Sequence, residues 1–192
     1  MKLQIFTPSN FNKYIKKSEI YYNYYQTSAG KLLILSTKDG IFSGTFSDDL
    51  GHYPAYAPPT FTTSADRQSE VYPEFIEGAG YFPVISNEFL NAISENKKEI
   101  DLSKFIISGT DFQIKVWKKV LEIPKGKTES YQTIAKLIGN EKSFRAVANA
   151  LAQNKIAYFI PCHRVIAKNG KVSGYKWGVV KKIRLLEAEK RN

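Results

Sequence analysis

The stretch SYQTIAKLIGNEKSFRAVANALAQ, Ser130 to Gln153, reads as two short helices separated by a tight turn. Ser130 suits the cap of the first helix, which presents Ile134, Leu137 and Ile138 and is stopped by Gly139, where a C-terminal glycine commonly sits. The second helix runs from about Ser143 to Gln153, with alanines at 146, 148, 150 and 152 and Arg145 in its first turn. Joined by Gly139-Asn140-Glu141-Lys142, the pair has the form of a helix-turn-helix, which lays its second helix in a nucleic-acid groove. The spacing is weak by itself. Small residues let a backbone approach such a groove, but they also permit tight helix packing, the better reading from geometry alone.

Immediately upstream, Thr110 suits the cap of a helix in which Phe112, Val116 and Val120 recur every four residues, flanked by Ile114, Trp117 and Leu121 and ended by Pro124 and Gly126. Downstream, the apolar run Ile156 to Ile160 leads into Pro161-Cys162-His163-Arg164-Val165-Ile166, strand-like up to a turn at Asn169-Gly170. A last helix, Val179 to about Lys190, is expected to turn Ile183 and Leu186 inward and to bring Glu189 beside Leu185 and Leu186.

The first half reads as short strands at Ile20 to Gln26, Lys31 to Thr37 and Ile41 to Phe46, the last after an Asp39-Gly40 pair suited to a hairpin. His52 to Pro83 lacks a period and reads as a long loop; Ser86 to Lys97 reads as a helix with Phe89, Leu90 and Ile93 on one side. The expected class is therefore α/β (α+β). An N-terminal domain, residues 1–100, holds a small antiparallel sheet and a helix. A linker, 101–109, leads to a helical C-terminal domain, 110–192.

A composition of 43% hydrophobic and 24% charged residues excludes wholesale disorder, and no apolar span is long enough for a membrane helix. Of the net charge of +10, residues 1–100 contribute 9 Lys and Arg against 11 Asp and Glu, whereas residues 101–192 contribute 19 against 7. All the excess positive charge lies in the second half, as expected of a surface for a polyanion, although a basic soluble face would show the same imbalance. Cys162 is the only cysteine, so an intrachain disulfide is excluded and a thiolate zinc site would lack ligands. A lone cysteine is usually a small buried hydrophobe; only its neighbours can argue otherwise.

Those neighbours do. Ile160-Pro161-Cys162-His163-Arg164-Val165 resembles the active-site signature of the O6-alkylguanine-DNA alkyltransferases. The likeness extends in order through Gly109-Thr110-Asp111-Phe112, Ile123-Pro124-Lys125-Gly126, Ser130-Tyr131-Gln132, Arg145-Ala146-Val147, Asn154 and Gly174-Tyr175-Lys176-Trp177-Gly178, about eighty residues, while the N-terminal half matches only in character. The resemblance implies single-turnover transfer of a methyl or small alkyl group from O6 of guanine, and from O4 of thymine, to Cys162, after the damaged nucleotide is flipped out of duplex DNA. It implies a relay from Cys162 through water to His163 and Glu189 that favours the thiolate, and a Tyr131 that turns the next phosphate and donates a hydrogen bond to the guanine N3. Arg145 would enter the gap left by the base, with Ser130, Gln132, Ala146 and Asn149 as further DNA contacts. Val165, Tyr175, Lys176 and Trp177 would line the substrate pocket, and Asn154 would tie the turn before the reactive segment. Trp177, in a position glycine holds in some relatives, would narrow that pocket against a benzyl group. No cofactor or metal is expected. The expected partner is double-stranded DNA containing O6-alkylguanine, the state monomeric, and the site of action the cytoplasm, or the nucleus in a eukaryote.

From the residues alone, other classes stay open. A non-reactive reader of alkylated bases would not need Cys162. A cysteine hydrolase would need a remote base, and the other histidine is His52, in the loop-rich half. A DNA-binding transcription regulator is the third.

Overall fold

The computed structural model describes residues 4–18, 21–46 and 105–191. The expected loop at 52–83 and helix at 86–97 lie outside the described residues. Strands β2 (Tyr21–Thr27), β3 (Gly30–Thr37) and β4 (Gly40–Phe46) form an antiparallel sheet in the order β2-β3-β4. Central β3 is buried from Leu32 to Thr37. Successive side chains alternate faces, so Leu33 and Leu35 pack with Phe11, Ile15, Phe42 and Ile106, while Leu32 and Ile34 join the main core on the other side. A strand covered on both faces explains why this segment reads as a continuous apolar run. The hairpin closes at Thr37 opposite Gly40, so its exposed turn residues are Lys38 and Asp39.

The cover on the first face is α1 (Pro8–Ile15), a helix absent from the reading above. Thr7 caps it, accepting a hydrogen bond from the Asn10 amide, and Pro8 opens it; Phe11 and Ile15, four apart, are its buried positions. Before it, β1 (Gln4–Phe6) pairs in parallel with β5 (Ile106–Ser108). Part of the stretch expected as linker is therefore a strand: Phe105, Ile106 and Ile107 are buried, and residues 101–104 are outside the described set. Three residues are too short for a periodic signal, and their pairing partner lies about a hundred positions away.

The helical half begins with α2 (Asp111–Leu121), where Thr110 and Gln113 form a reciprocal capping box. Gly109 is required there because an added Cβ would stand 2.7 Å from the Trp117 ring. Ile114, Val116, Trp117 and Val120 face inward. Then follow β6 (Glu129–Ser130), α3 (Tyr131–Leu137), a single 3-10 turn (Glu141–Ser143) and α4 (Phe144–Ala152). Ser130 caps α3 by accepting from the Thr133 amide, and Gly139 follows it at φ +78°. Leu137 is 53% exposed, and Ile134 and Ala135 are the residues α3 buries. The Trp117 indole locks α2 to α4 by donating to the Ala150 carbonyl at 2.9 Å.

Two further expectations are corrected. Cys162–Arg164 is a 3-10 turn, and only β7 (Val165–Ile166) is a strand, paired in parallel with β6. Pro161, at φ −79° and ψ 57°, sits in a tight turn closed by the Cys162 amide on the Ile160 carbonyl at 2.7 Å, which curls the chain before it can extend. In α5 (Val179–Lys190) the inward residues are Lys182, Leu185 and Leu186, while Ile183 is 39% exposed. The main core is continuous, running from Leu32, Ile34 and Phe46 of the sheet through Val116 and Val147 to Leu185. Each such large apolar side chain contributes roughly 1.5–3 kcal/mol relative to exposure.

Candidate active site

Asn154 organises the reactive turn. Wholly buried, it accepts from the Ile156 amide at 2.8 Å through Oδ1, and its Nδ2 lies within 3.1 Å of the Ile160 carbonyl and 3.2 Å of Cys162 Sγ. Such a role needs a side chain with both donors and acceptors. The turn it holds contains Tyr158 at φ 70°, a conformation a bulky side chain adopts only when its surroundings dictate it.

Cys162 itself is 4% exposed. Burial pushes its thiol up, and the Asn154 hydrogen bond and the Lys182 charge offset this only in part. Burial thus disfavours the thiolate, so the sulfur gains its nucleophilic form only with a base at the moment of reaction.

The next residue, His163, is bound to a carboxylate. Its Nε2 stands 2.8 Å from Glu189 Oε1. Burial raises the Glu189 carboxyl, but hydrogen bonds from His163 and Arg164 and the Arg164 charge outweigh it and bring the carboxyl to about 2. Arg164 Nε donates to both oxygens at 3.0 and 3.1 Å, its Nη2 adds a bond at 2.9 Å, and the Gly126 amide donates to Oε2 at 3.2 Å. An ionised carboxylate only accepts, so the His163 proton belongs on Nε2. Burial holds the ring below its ordinary value against the pull of Glu189, so it is neutral and Nδ1 carries a lone pair. That Nδ1 is buried and has no protein partner.

Around this core, Tyr131 opens α3 half-buried, its hydroxyl 3.4 Å from the Ser173 carbonyl; burial first, then the field of Cys162, raises it, so it stays a donor. Tyr175 is raised further by burial, and its buried hydroxyl has no protein partner. The Val165 carbonyl accepts from Lys182 Nζ at 2.6 Å. Lys176 donates through Nζ to the Asn154 carbonyl at 3.0 Å. Trp177 is 3% exposed; its indole donates to Thr45 Oγ1 at 3.1 Å and meets the rings of Phe46 and Tyr175. It thus lies between Tyr175 and the N-terminal sheet. On the outer face of α4, Arg145, Ala146 and Asn149 are exposed together, Gln132 is exposed on α3, and Ser130 serves as its cap.

Two residues of this cluster were not singled out from the sequence. Arg164 also donates to the Ile123 carbonyl at 2.7 Å and binds Glu189 in a fork. Lys182, wholly buried, spans the carbonyls of Val165, Ser173 and Gly174, and burial draws it down to about 8. Its signal was available: residues 182, 185, 186 and 189 share one helical stripe, and a lysine on an inward stripe requires partners.

A solitary nucleophile backed by a histidine and a carboxylate, set behind an exposed helix-turn-helix, defines a class of protein that takes a group onto its own cysteine. A family model described as 6-O-methylguanine DNA methyltransferase, DNA binding domain, matches residues 111–191. A methylated-DNA--protein-cysteine methyltransferase of Methanosarcina acetivorans is 33% identical over 170 residues, covering 88% of this chain and 98% of that one. The bifunctional transcriptional activator/DNA repair enzyme Ada of Escherichia coli is 52% identical over 86 residues, 45% of this chain but 24% of that protein, so the match spans about a quarter of its length. The crystal structure of Mycobacterium tuberculosis OGT in complex with DNA superposes with a TM-score of 0.66 at 31% identity, covering 89% of this chain and 93% of that one. The chain belongs to the methylated-DNA--protein-cysteine methyltransferase family.

Proposed function

We propose that this protein reverses alkylation damage directly, moving a methyl or small alkyl group from O6 of guanine, or O4 of thymine, in double-stranded DNA to Cys162. The observation that carries this reading is the buried thiol beside a neutral histidine whose tautomer Glu189 sets. His163 Nδ1 takes the thiol proton through a bridging water, the sulfur–carbon bond forms as the carbon–O6 bond breaks with its electron pair leaving on the guanine, and Tyr131 donates a hydrogen bond to N3 that reduces the charge on the leaving base, which solvent then protonates. The thioether product has no easy leaving path, so each molecule reacts once and needs no diffusible cofactor. Val165, Tyr175, Lys176 and Trp177 bound or support the base pocket. Residues 110–192 carry transfer and DNA binding, and the sheet before them supports the site.

The protein acts as a monomer on chromosomal DNA, in the cytoplasm or, in a eukaryote, the nucleus. No described helix is long and apolar enough to cross a membrane. After incubation with O6-methylguanine duplex, mass spectrometry should find one added methyl group, on Cys162. An unmodified chain, or release of free methanol on repeated turnover, would overturn the reading.

Two expected results concern the DNA face. Arg145, exposed on α4 with its guanidinium 5.7 Å from the Phe144 ring, fills the space of the flipped base. Because flipping costs a few kcal/mol, Arg145→Ala should slow repair of duplex roughly 10- to 100-fold while leaving reaction with free O6-methylguanine base unchanged. Equal losses on both substrates would point to a pocket defect instead. Duplex affinity should also fall with salt, the log–log slope being about −0.9 per phosphate neutralised by the basic second half. A salt-insensitive affinity, measured by fluorescence anisotropy, would contradict that use of the charge.

A further inference from the structure

Three consecutive residues of β4 reach the chain on both sides of Cys162, at Lys155–Ala157 before it and at Trp177 after it. Gly44 grips the segment before Cys162: its amide donates to the Lys155 carbonyl at 2.8 Å, and its carbonyl accepts from the Ala157 amide at 2.9 Å. The close approach depends on glycine, since a Cβ there would stand 3.3 Å from the Ala157 carbonyl oxygen. Thr45 holds the other side, accepting the indole N–H of Trp177 at 3.1 Å. Phe46 then meets that indole edge-on at 6.3 Å, with Lys181 Nζ 5.7 Å from the Phe46 ring. Trp177 packs in turn against Tyr175, ring centroids 5.2 Å apart, and Lys176 between them ties the same loop to Asn154. The loop that carries Tyr175, Lys176 and Trp177 is therefore tied to the N-terminal sheet through Trp177.

We propose that Thr45 is a specificity-determining residue of the alkyl pocket, pinning Trp177 behind Tyr175 so that the pocket takes a methyl group and resists a benzyl group. The inference rests on the transfer to Cys162 proposed above. Thr45 acts through Trp177 and touches no reacting atom, so it is a positioning residue. Losing that hydrogen bond from either end unties Trp177 from β4, so the loop is held less firmly.

The test compares the wild type with Thr45→Val, Thr45→Ser, Trp177→Phe and the Thr45→Val/Trp177→Phe double variant. For each, the rate of Cys162 alkylation is measured by mass spectrometry with O6-methylguanine duplex and with free O6-benzylguanine, alongside thermal melting. Thr45→Val should raise the benzyl-to-methyl rate ratio on the order of tenfold, the scale of one neutral hydrogen bond. Thr45→Ser should restore the wild-type ratio, Trp177→Phe should mimic Thr45→Val, and the double variant should add nothing, as expected of two ends of one interaction. An unchanged ratio, or both rates falling together with the melting temperature, overturns the inference while leaving the proposed function intact. A wild-type chain that accepts neither group overturns the function, and the inference with it.

Discussion

A Cys162→Ser chain takes up no alkyl group from methylated duplex, yet binds that duplex as the native chain does. The hydroxyl is one of the weaker nucleophiles at neutral pH, and His163, held neutral and below its ordinary basicity by burial, is too weak a base to ionise it. The loss should be roughly 10⁴-fold or more, the scale on which removal of a nucleophile acts. Binding is spared because the sulfur is only 4% exposed and contributes little surface, and a serine oxygen can still accept from Asn154 Nδ2. Single-turnover transfer of radiolabelled methyl, with anisotropy for affinity, separates the two quantities. Stoichiometric transfer by the serine chain would end the mechanism, and a parallel loss of binding would show that the thiol shapes the DNA surface.

Glu189→Gln should be nearly as damaging, and by a different route. An amide both donates and accepts, so it no longer dictates that the His163 proton sits on Nε2, and it leaves the Arg164 guanidinium without its anionic partner. The transfer rate should fall on the order of 10²- to 10⁴-fold, the usual worth of a positioned general base. Breaking the ion pair should also destabilise the fold by roughly 3 kcal/mol. The pH signature distinguishes the two effects. Since Glu189 supports protonation of His163, its removal moves the acid limb of the rate profile to lower pH while the plateau drops. For stability the sign is fixed by the direction of each shift. Glu189 is depressed to about 2, so its contribution is present above the ordinary carboxylate range and is lost as pH falls from about 4.5 towards 2. His163 is also depressed, so stability begins to fall once pH drops below its ordinary value of about 6.5. Melting of the native chain should therefore decline steadily from neutral pH into acid, and the steep lower part should be missing in Glu189→Gln. An unchanged acid limb and plateau would remove Glu189 from the chemistry.

The helical half was legible from local signals. Thr110, Ser130 and Gly139 act within a turn of their own positions, so caps and stops at α2 and α3 could be read from spacing alone. The same holds for the three sheet strands, whose apolar pattern is local. The motif around Cys162 and its likeness to a family likewise needed no coordinates. What escaped the reading depends on partners far along the chain. A three-residue strand at Ile106–Ser108 exists only because Gln4–Phe6 lies beside it, and Ile183 faces outward because Lys182 occupies the inward place. The Cys162–Arg164 turn looked extended because its apolar flanks resemble a strand, whereas the Pro161 turn and Asn154 curl it.

By itself the amino-acid sequence determined the two short helices on either side of Gly139, the single cysteine and the basic second half, all properties of composition and short-range order. The tertiary structure decided the protonation chemistry, because burial raises the Cys162 thiol and four distinct donors on Glu189 are assembled from Gly126, His163 and Arg164. It also decided that Trp177 hangs from Thr45, 132 residues away. Electrostatics and hydrogen bonds act over a few ångströms in space with no regard for distance along the chain, and only folding sets which groups those few ångströms enclose.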